Sequence, residues 1–243
     1  MKGPSGDLIR TLPFGKVLAQ AIRIPPGAMS DIFQISALDL AAYLCSRVCH
    51  DVISPVGAIT NGLEVLEEED DDDMRGFAMD LIKKSATQAS AKLQFARIAF
   101  GAAGSAGAEI DLADAEAVTS NFLAGSKVEL AWSAPRAMMP KNHVKLLLNL
   151  VLTAQHAIPR GGRFSVTVGE DVSQPRFDLR CEGEGARIPA QAAGFFSGQH
   201  DGTPVDAHSI QPFYAALVAR ETGMGVTMTL DGTVVSILAS PAA

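Results

Sequence analysis

Cys49-His50-Asp51-Val52-Ile53-Ser54-Pro55 lies in the middle of an apolar periodicity that sets the first element of the chain. On either side the apolar residues run Ala37, Ala41, Leu44, Val48, Val52, Pro55, Ile59, Leu63 and Leu66. Steps of three and four place them on one helical stripe. His50 stands two residues from both Val48 and Val52, roughly 200° around the helix from each. It therefore points away from the stripe, in a row with Ser46, Ser54, Gly57 and Asn61, all small or polar. Such a row leaves room for another macromolecule to approach the imidazole. Neutral imidazole is a nitrogen nucleophile that titrates near neutral pH. Asp51 can hydrogen-bond one ring nitrogen and leave the other free. Pro55 has no N–H for the carbonyl of Asp51, four residues back. A mid-helix proline frees that carbonyl and kinks the axis, at about 3 kcal/mol. A solvent-facing histidine on an ordinary bundle helix is the plain alternative.

Composition bounds the rest. The 243 residues are 47% hydrophobic with a net charge of −7, and the isoelectric point is about 5.2. That balance argues against nucleic acid as the main partner. Cys45, Cys49 and Cys181 show no metal-ligand spacing and read as reduced thiols of a cytoplasmic protein. No apolar run approaches the ~18 residues of a membrane span. Residues 1–35, with Pro4, Pro13, Pro25 and Pro26, read as a disordered or non-native extension, with Met29 a plausible initiator.

Ser36 followed by Asp39 gives a capping-box-like start to the first helix, which is expected to reach Leu66. Seven acids, Glu67 to Asp73, form a solvated turn. A second helix over Met74–Phe100 carries Ala78, Ile82, Ala86, Ala89, Leu93, Ala96 and Phe100 on one stripe, with Lys83, Lys84, Lys92 and Arg97 largely off it. Residues 36–101 thus form a helical hairpin, and a lone hairpin of this length pairs with a second copy into a four-helix bundle. The glycine- and alanine-rich run 101–107 reads as a short linker. Over 108–243 the chain changes character. Helices are expected at Asp111–Phe122, Pro140–Ile158 and Ser209–Thr222. Strands are expected at Lys127–Trp132, Phe164–Val168 and Arg176–Cys181, with a terminal hairpin turning at Asp231-Gly232. A long loop spans Glu182–Asp206. The fold class is α followed by α/β, with helices covering one face of a mixed sheet. His143, His156, His200 and His208 form no metal set and read as surface histidines, and Trp132 reads as core.

His-Asp-x-x-x-Pro on a helix resembles the phospho-accepting box of two-component histidine kinases. Leu147, Asn149, Leu150, Ala154, Gly161 and Gly162 stand where the asparagine box of the kinase ATP-binding domain places them. The second asparagine of that box is Thr153, a poor replacement for a carbonyl ligand to magnesium. The glycine box reads Cys181-Glu182-Gly183-Glu184-Gly185, with Cys181 where the adenine-binding aspartate belongs. The phosphate loop reads Thr203-Pro204-Val205-Asp206-Ala207-His208, without a glycine pair. The chain resembles the ChpT-type histidine phosphotransferases of alphaproteobacterial cell-cycle relays over about residues 36–239. The most specific segments are Leu44–Pro55 and Gln94–Ala102.

That resemblance implies a homodimer in which His50 is the phospho-acceptor, Asp51 orients it, Ser54 stands at the catalytic position where kinases place a water for dephosphorylation, and Pro55 shapes the backbone. It implies that receivers dock near Ser46 and Arg47 and touch the second domain. The donor would be the receiver of a hybrid kinase of CckA type and the acceptors regulators of CtrA and CpdR type. No ATP and no resident cofactor are expected, the receiver bringing its own magnesium. Two other readings stay open: a residual ATP-dependent kinase, and a module that sequesters regulators without chemistry at His50.

Overall fold

The computed structural model describes residues 35–101, 108–199, 204–207 and 209–242. The expected extension 1–35 and the expected linker 101–107 lie almost wholly outside these residues, as do His200 and His208.

Helix α1 spans Ala37–Glu68. Ser36 caps it: the Asp39 N–H donates to Ser36 Oγ at 3.0 Å, and the Ser36 hydroxyl donates to the Asp39 carboxylate at 2.7 Å. The helix runs unbroken through Pro55. Helix α2 spans Asp72–Ala99 and is capped by Asp71, whose Oδ1 accepts from the Met74 N–H at 2.9 Å. The acidic run is therefore not one long turn. Glu67 and Glu68 finish α1, and Asp72 and Asp73 occupy the first turn of α2. Carboxylates are favourable at a helix start, where N–H groups lack partners. The Arg75 guanidinium donates across the turn to the carbonyls of Leu66 and Glu69, which α1 leaves open.

The two helices pack closely where Gly62 is buried. A Cβ there would lie 2.7 Å from Ile82 Cγ1 and 3.2 Å from the Ala78 carbonyl. Leu44, Val48, Val52, Pro55, Ile59 and Leu66 turn inward as the spacing predicts, but Ala37, Ala41 and Leu63 are exposed. On α2 the buried set is Ala78, Ser85, Ala89, Ala91, Phe95, Ile98 and Ala99, while Ala86 and Leu93 are exposed. The difference has a physical source. The C-terminal turns of α2 meet a second partner, so their buried face widens and rotates.

That partner is the α/β part. Its elements are β1 (Glu109–Asp111), α3 (Leu112–Leu123), β2 (Val128–Ser133), β3 (Met138–Pro140), α4 (Lys141–Ala157), β4 (Gly162–Val168), β5 (Phe177–Glu182), α5 (Ala192–Ser197), α6 (Ile210–Glu221), β6 (Met224–Asp231) and β7 (Val234–Pro241). Five strands form one mixed sheet in the order β2-β4-β5-β7-β6, with β2 and β4 parallel and the other pairs antiparallel. The small β1–β3 ribbon and α5 were not expected from the sequence, being too short to show a period. Gly161 and Gly162, with φ of +88° and +139°, pass the chain from α4 into β4. A Cβ on Gly162 would lie 2.1 Å from the Glu182 carbonyl, so only glycine fits between the flanking segments.

Leu146, Leu147, Leu148, Leu150, Val151 and Leu152 of α4 are buried in one core with Phe164, Val166, Leu179 and Ile237 of the sheet. Trp132 is half-buried at the margin of this core. The core does not stop at the second domain. Phe95, Ile98 and Ala99 of α2 belong to it, and Phe95 stacks on Phe122 with ring centroids 4.3 Å apart. A second contact joins Leu40, Tyr43 and Leu44 of α1 to Phe195, Ile210 and Phe213. Among the described residues, no helix is long and apolar enough to cross a membrane.

Candidate functional site

The middle of α1 presents His50 outward, its side chain 83% exposed. Ser46 and Ser54, one turn either side, are exposed too, so the surface around the ring is low and polar. His50 Nδ1 lies 3.5 Å from Asp51 Oδ1, a long contact that turns Nε2 away from the carboxylate. The stronger partner of Asp51 is Arg47, one turn back, whose Nε donates to Asp51 Oδ2 at 3.1 Å. Arg47 is largely covered, its side chain 16% exposed. The expected docking cation is thus committed to the carboxylate beside His50, where the i, i+4 spacing brings the two side chains together.

The backbone of the same residue has its own partner. The Asp51 carbonyl, for which Pro55 has no N–H, accepts from Lys92 Nζ of α2 at 2.8 Å. The sequence shows the open carbonyl but puts Lys92 only largely off the apolar stripe of its helix. The open carbonyl was the signal, and the register of α2 against α1 was the missing information.

His50, Arg47, Asp51 and Lys92 form one wall of a cleft of about 990 Å³. The opposite wall comes from the α/β part and includes Lys127, Thr153, His156, Arg187, Asp206 and Gln211. The cleft is rich in cationic groups, and two acids, Asp51 and Asp206, line it. His156, expected as a surface histidine, keeps exposed ring area but looks into this cleft, and its Nδ1 lies 2.8 Å from the Leu152 carbonyl. Burial and the Arg47 guanidinium push its pKa down, against smaller upward effects of the Leu152 bond and the Asp51 carboxylate. It is the neutral imidazole at neutral pH. His143 is half-buried, and burial lowers its pKa as well.

The residues at the kinase-box positions are tied up inside the protein. Thr153 is 1% exposed, and its hydroxyl donates to the Asn149 carbonyl at 3.0 Å. Asn149 is fully buried and donates to the carbonyls of Ala99 and Lys145, each at 2.8 Å. Gln211 donates to the Asn149 carbonyl at 2.9 Å. Cys181 is fully buried on β5, and burial pushes its thiol up to about 12. At the start of α6 the Asp206 carboxylate accepts from the Ser209 N–H and hydroxyl, each at 2.8 Å. A protein carboxylate thus occupies the position where a helix start would meet an anion.

Residues 112–234 match the family model described as the histidine phosphotransferase C-terminal domain. The chain is 52% identical over 194 residues to the protein phosphotransferase ChpT of Brucella abortus (strain 2308), covering 80% of this chain and 91% of that one. It superposes on a solved bacterial phosphotransferase with a TM-score of 0.78 at 47% identity, covering 86% of this chain and all of that one. A histidine kinase of Acinetobacter baumannii, AdeS, aligns at 9% identity with a TM-score of 0.41, over 79% of this chain. The likeness to the solved phosphotransferase takes in both the long helical hairpin and the α/β part that follows it. The chain belongs to the histidine phosphotransferase family.

Proposed function

We propose that His50 relays a phosphoryl group between receiver domains. In the first step Nε2 attacks the phosphorus of a receiver's aspartyl phosphate. The P–N bond forms as the P–O bond to the receiver carboxylate breaks, and that carboxylate leaves with the electron pair. The ring keeps its proton on Nδ1, facing Asp51. The second step is the reverse reaction with another receiver, so no net oxidation or hydrolysis is needed. Both phosphoryl species are reactive, which makes transfer close to balanced, and the chain contributes mainly positioning. The single observation that carries this reading is the 83% exposed His50 ring with an Arg47-held carboxylate behind it.

In this reading the receiver brings its magnesium and this chain holds no cofactor. Ser46 and Ser54 form the low rim on which the receiver rests. The donor is the receiver of a hybrid kinase of CckA type and the acceptors are regulators of CtrA and CpdR type, in the cytoplasm. A second copy covers the apolar face of the hairpin. Leu38, Ile53, Val56, Leu63, Phe77, Leu81 and Leu93 of the two helices are all exposed, and so many large apolar side chains on two adjacent helices are unusual for a free surface. ATP-dependent autophosphorylation is disfavoured because Thr153, Asn149 and Asp206 already have internal partners.

The test is a single-turnover assay with a receiver carrying labelled phosphate. Label is expected on the wild type, acid-labile and base-stable, and none on His50→Ala. No label from a panel of receivers overturns the relay. Regulator binding with unchanged signalling by His50→Ala would instead favour a sequestering module.

A further inference from the structure

The carbonyl of Asp51 is the point where α1 cannot complete its own ladder. Its donor would be the N–H of residue 55, and residue 55 is proline. The carbonyl is nevertheless satisfied, by the Lys92 ammonium from α2, 41 positions along the chain, at 2.8 Å. Lys92 is half-buried and enters the cleft beside His50, Arg47 and His156. Asp51 is therefore held at both ends, its carboxylate by Arg47 and its backbone by Lys92. Both bonds involve a charged donor and are stronger than neutral ones. Neither would be needed for a helix alone. With any other residue at 55, the ladder could close within α1 and the Asp51 carbonyl would no longer depend on Lys92. Proline at 55 and lysine at 92 together move control of the backbone next to His50 from α1 to α2.

We propose that Lys92 is a positioning residue for phosphotransfer. By holding the carbonyl that Pro55 leaves open, it fixes the His50–Asp51 segment in the orientation from which Nε2 reaches the receiver's phosphorus. This rests on the relay reading of His50. The effect acts through backbone geometry, so it concerns the transfer step and not receiver affinity. A displacement of the reacting nitrogen by about 1 Å is enough to cost an order of magnitude or more in rate.

The test is a double-mutant cycle of Lys92→Met and Pro55→Ala, in the full chain, with a labelled hybrid-kinase receiver as phosphate donor. Lys92→Met is expected to slow single-turnover transfer at saturating receiver about tenfold or more, with the half-saturating receiver concentration unchanged. Lys92→Arg, which keeps a cationic donor, is expected to retain most of the rate. Adding Pro55→Ala to Lys92→Met restores an N–H for the Asp51 carbonyl, so the double variant is expected to run close to Pro55→Ala alone. If Lys92→Met fails to fold, the double variant should fold, because its ladder is closed. A wild-type rate for Lys92→Met, or two defects that multiply in the double variant, overturns the proposal. Absence of label on the wild type would instead defeat the relay reading.

Discussion

The two walls of the cleft are built on opposite plans. On α1, the reactive group is left open: His50 is exposed, its neighbours are small, and only the residue behind it is anchored. On α4 and α6, the polar groups are closed in on themselves. Thr153 bonds to Asn149, Asn149 to the end of α2, and Gln211 to Asn149. The glycines and apolar residues of the α/β part are fixed by packing. Its polar side chains, which packing does not require, are the ones engaged elsewhere. Buried polar groups need partners, and these find theirs within the protein.

The contrast can be broken most severely at the shared core. Phe95 is 1% exposed and joins the hairpin to the α/β part. Phe95→Ala is expected to destabilise by about 3–5 kcal/mol, read by chemical denaturation, whereas His50→Ala should leave the midpoint unchanged. Asn149→Ala comes next. It leaves the Ala99 carbonyl without the amide that now serves it, and a loss of about 2–3 kcal/mol is expected from the stranded buried groups. Midpoints equal to wild type for both would show that the two parts are only loosely joined.

A gentler probe sharpens the contrast without mutation. Cys45 and Cys49 are exposed on α1, whereas Cys181 is buried with its thiol pushed up to about 12. A thiol reagent at pH 8 should modify two cysteines quickly and the third only after unfolding. Rapid modification of all three would mean that the sheet opens readily.

The smallest effect is in the pH dependence of stability. Burial and Arg47 lower the folded-state pKa of His156, so the unfolded chain binds its proton more readily. Stability from this residue is present above the ordinary histidine value of about 6.5 and is lost as pH falls through the window between that value and the folded one. His156→Gln should flatten the denaturation midpoint against pH in that window. An unchanged slope would assign it to His143, whose pKa burial also lowers.

Much of this was legible in the sequence. Ser36, Asp111 and the Asp231-Gly232 turn announced their element boundaries because capping and turn chemistry are local. The outward row of Ser46, His50, Ser54 and Asn61 followed from helical periodicity alone. What stayed hidden depends on the register between distant segments. The Arg47–Asp51 pair, though local, depends on rotamers that periodicity does not fix. Lys92 could not be paired with Asp51 before α2 was set against α1. The exposure of Leu93 and the burial of Phe95 and Ile98 reflect a second neighbour for α2 that a single-helix pattern does not contain.

The Asp206–Ser209 turn has a consequence for any free anion that enters the cleft. Those helix-start donors already face a carboxylate attached to the same chain a few residues away. In binding terms it is a tethered competitor, whose local concentration is on the order of millimolar or above. A dissolved phosphate compound at micromolar levels would have to displace a rival that never diffuses away.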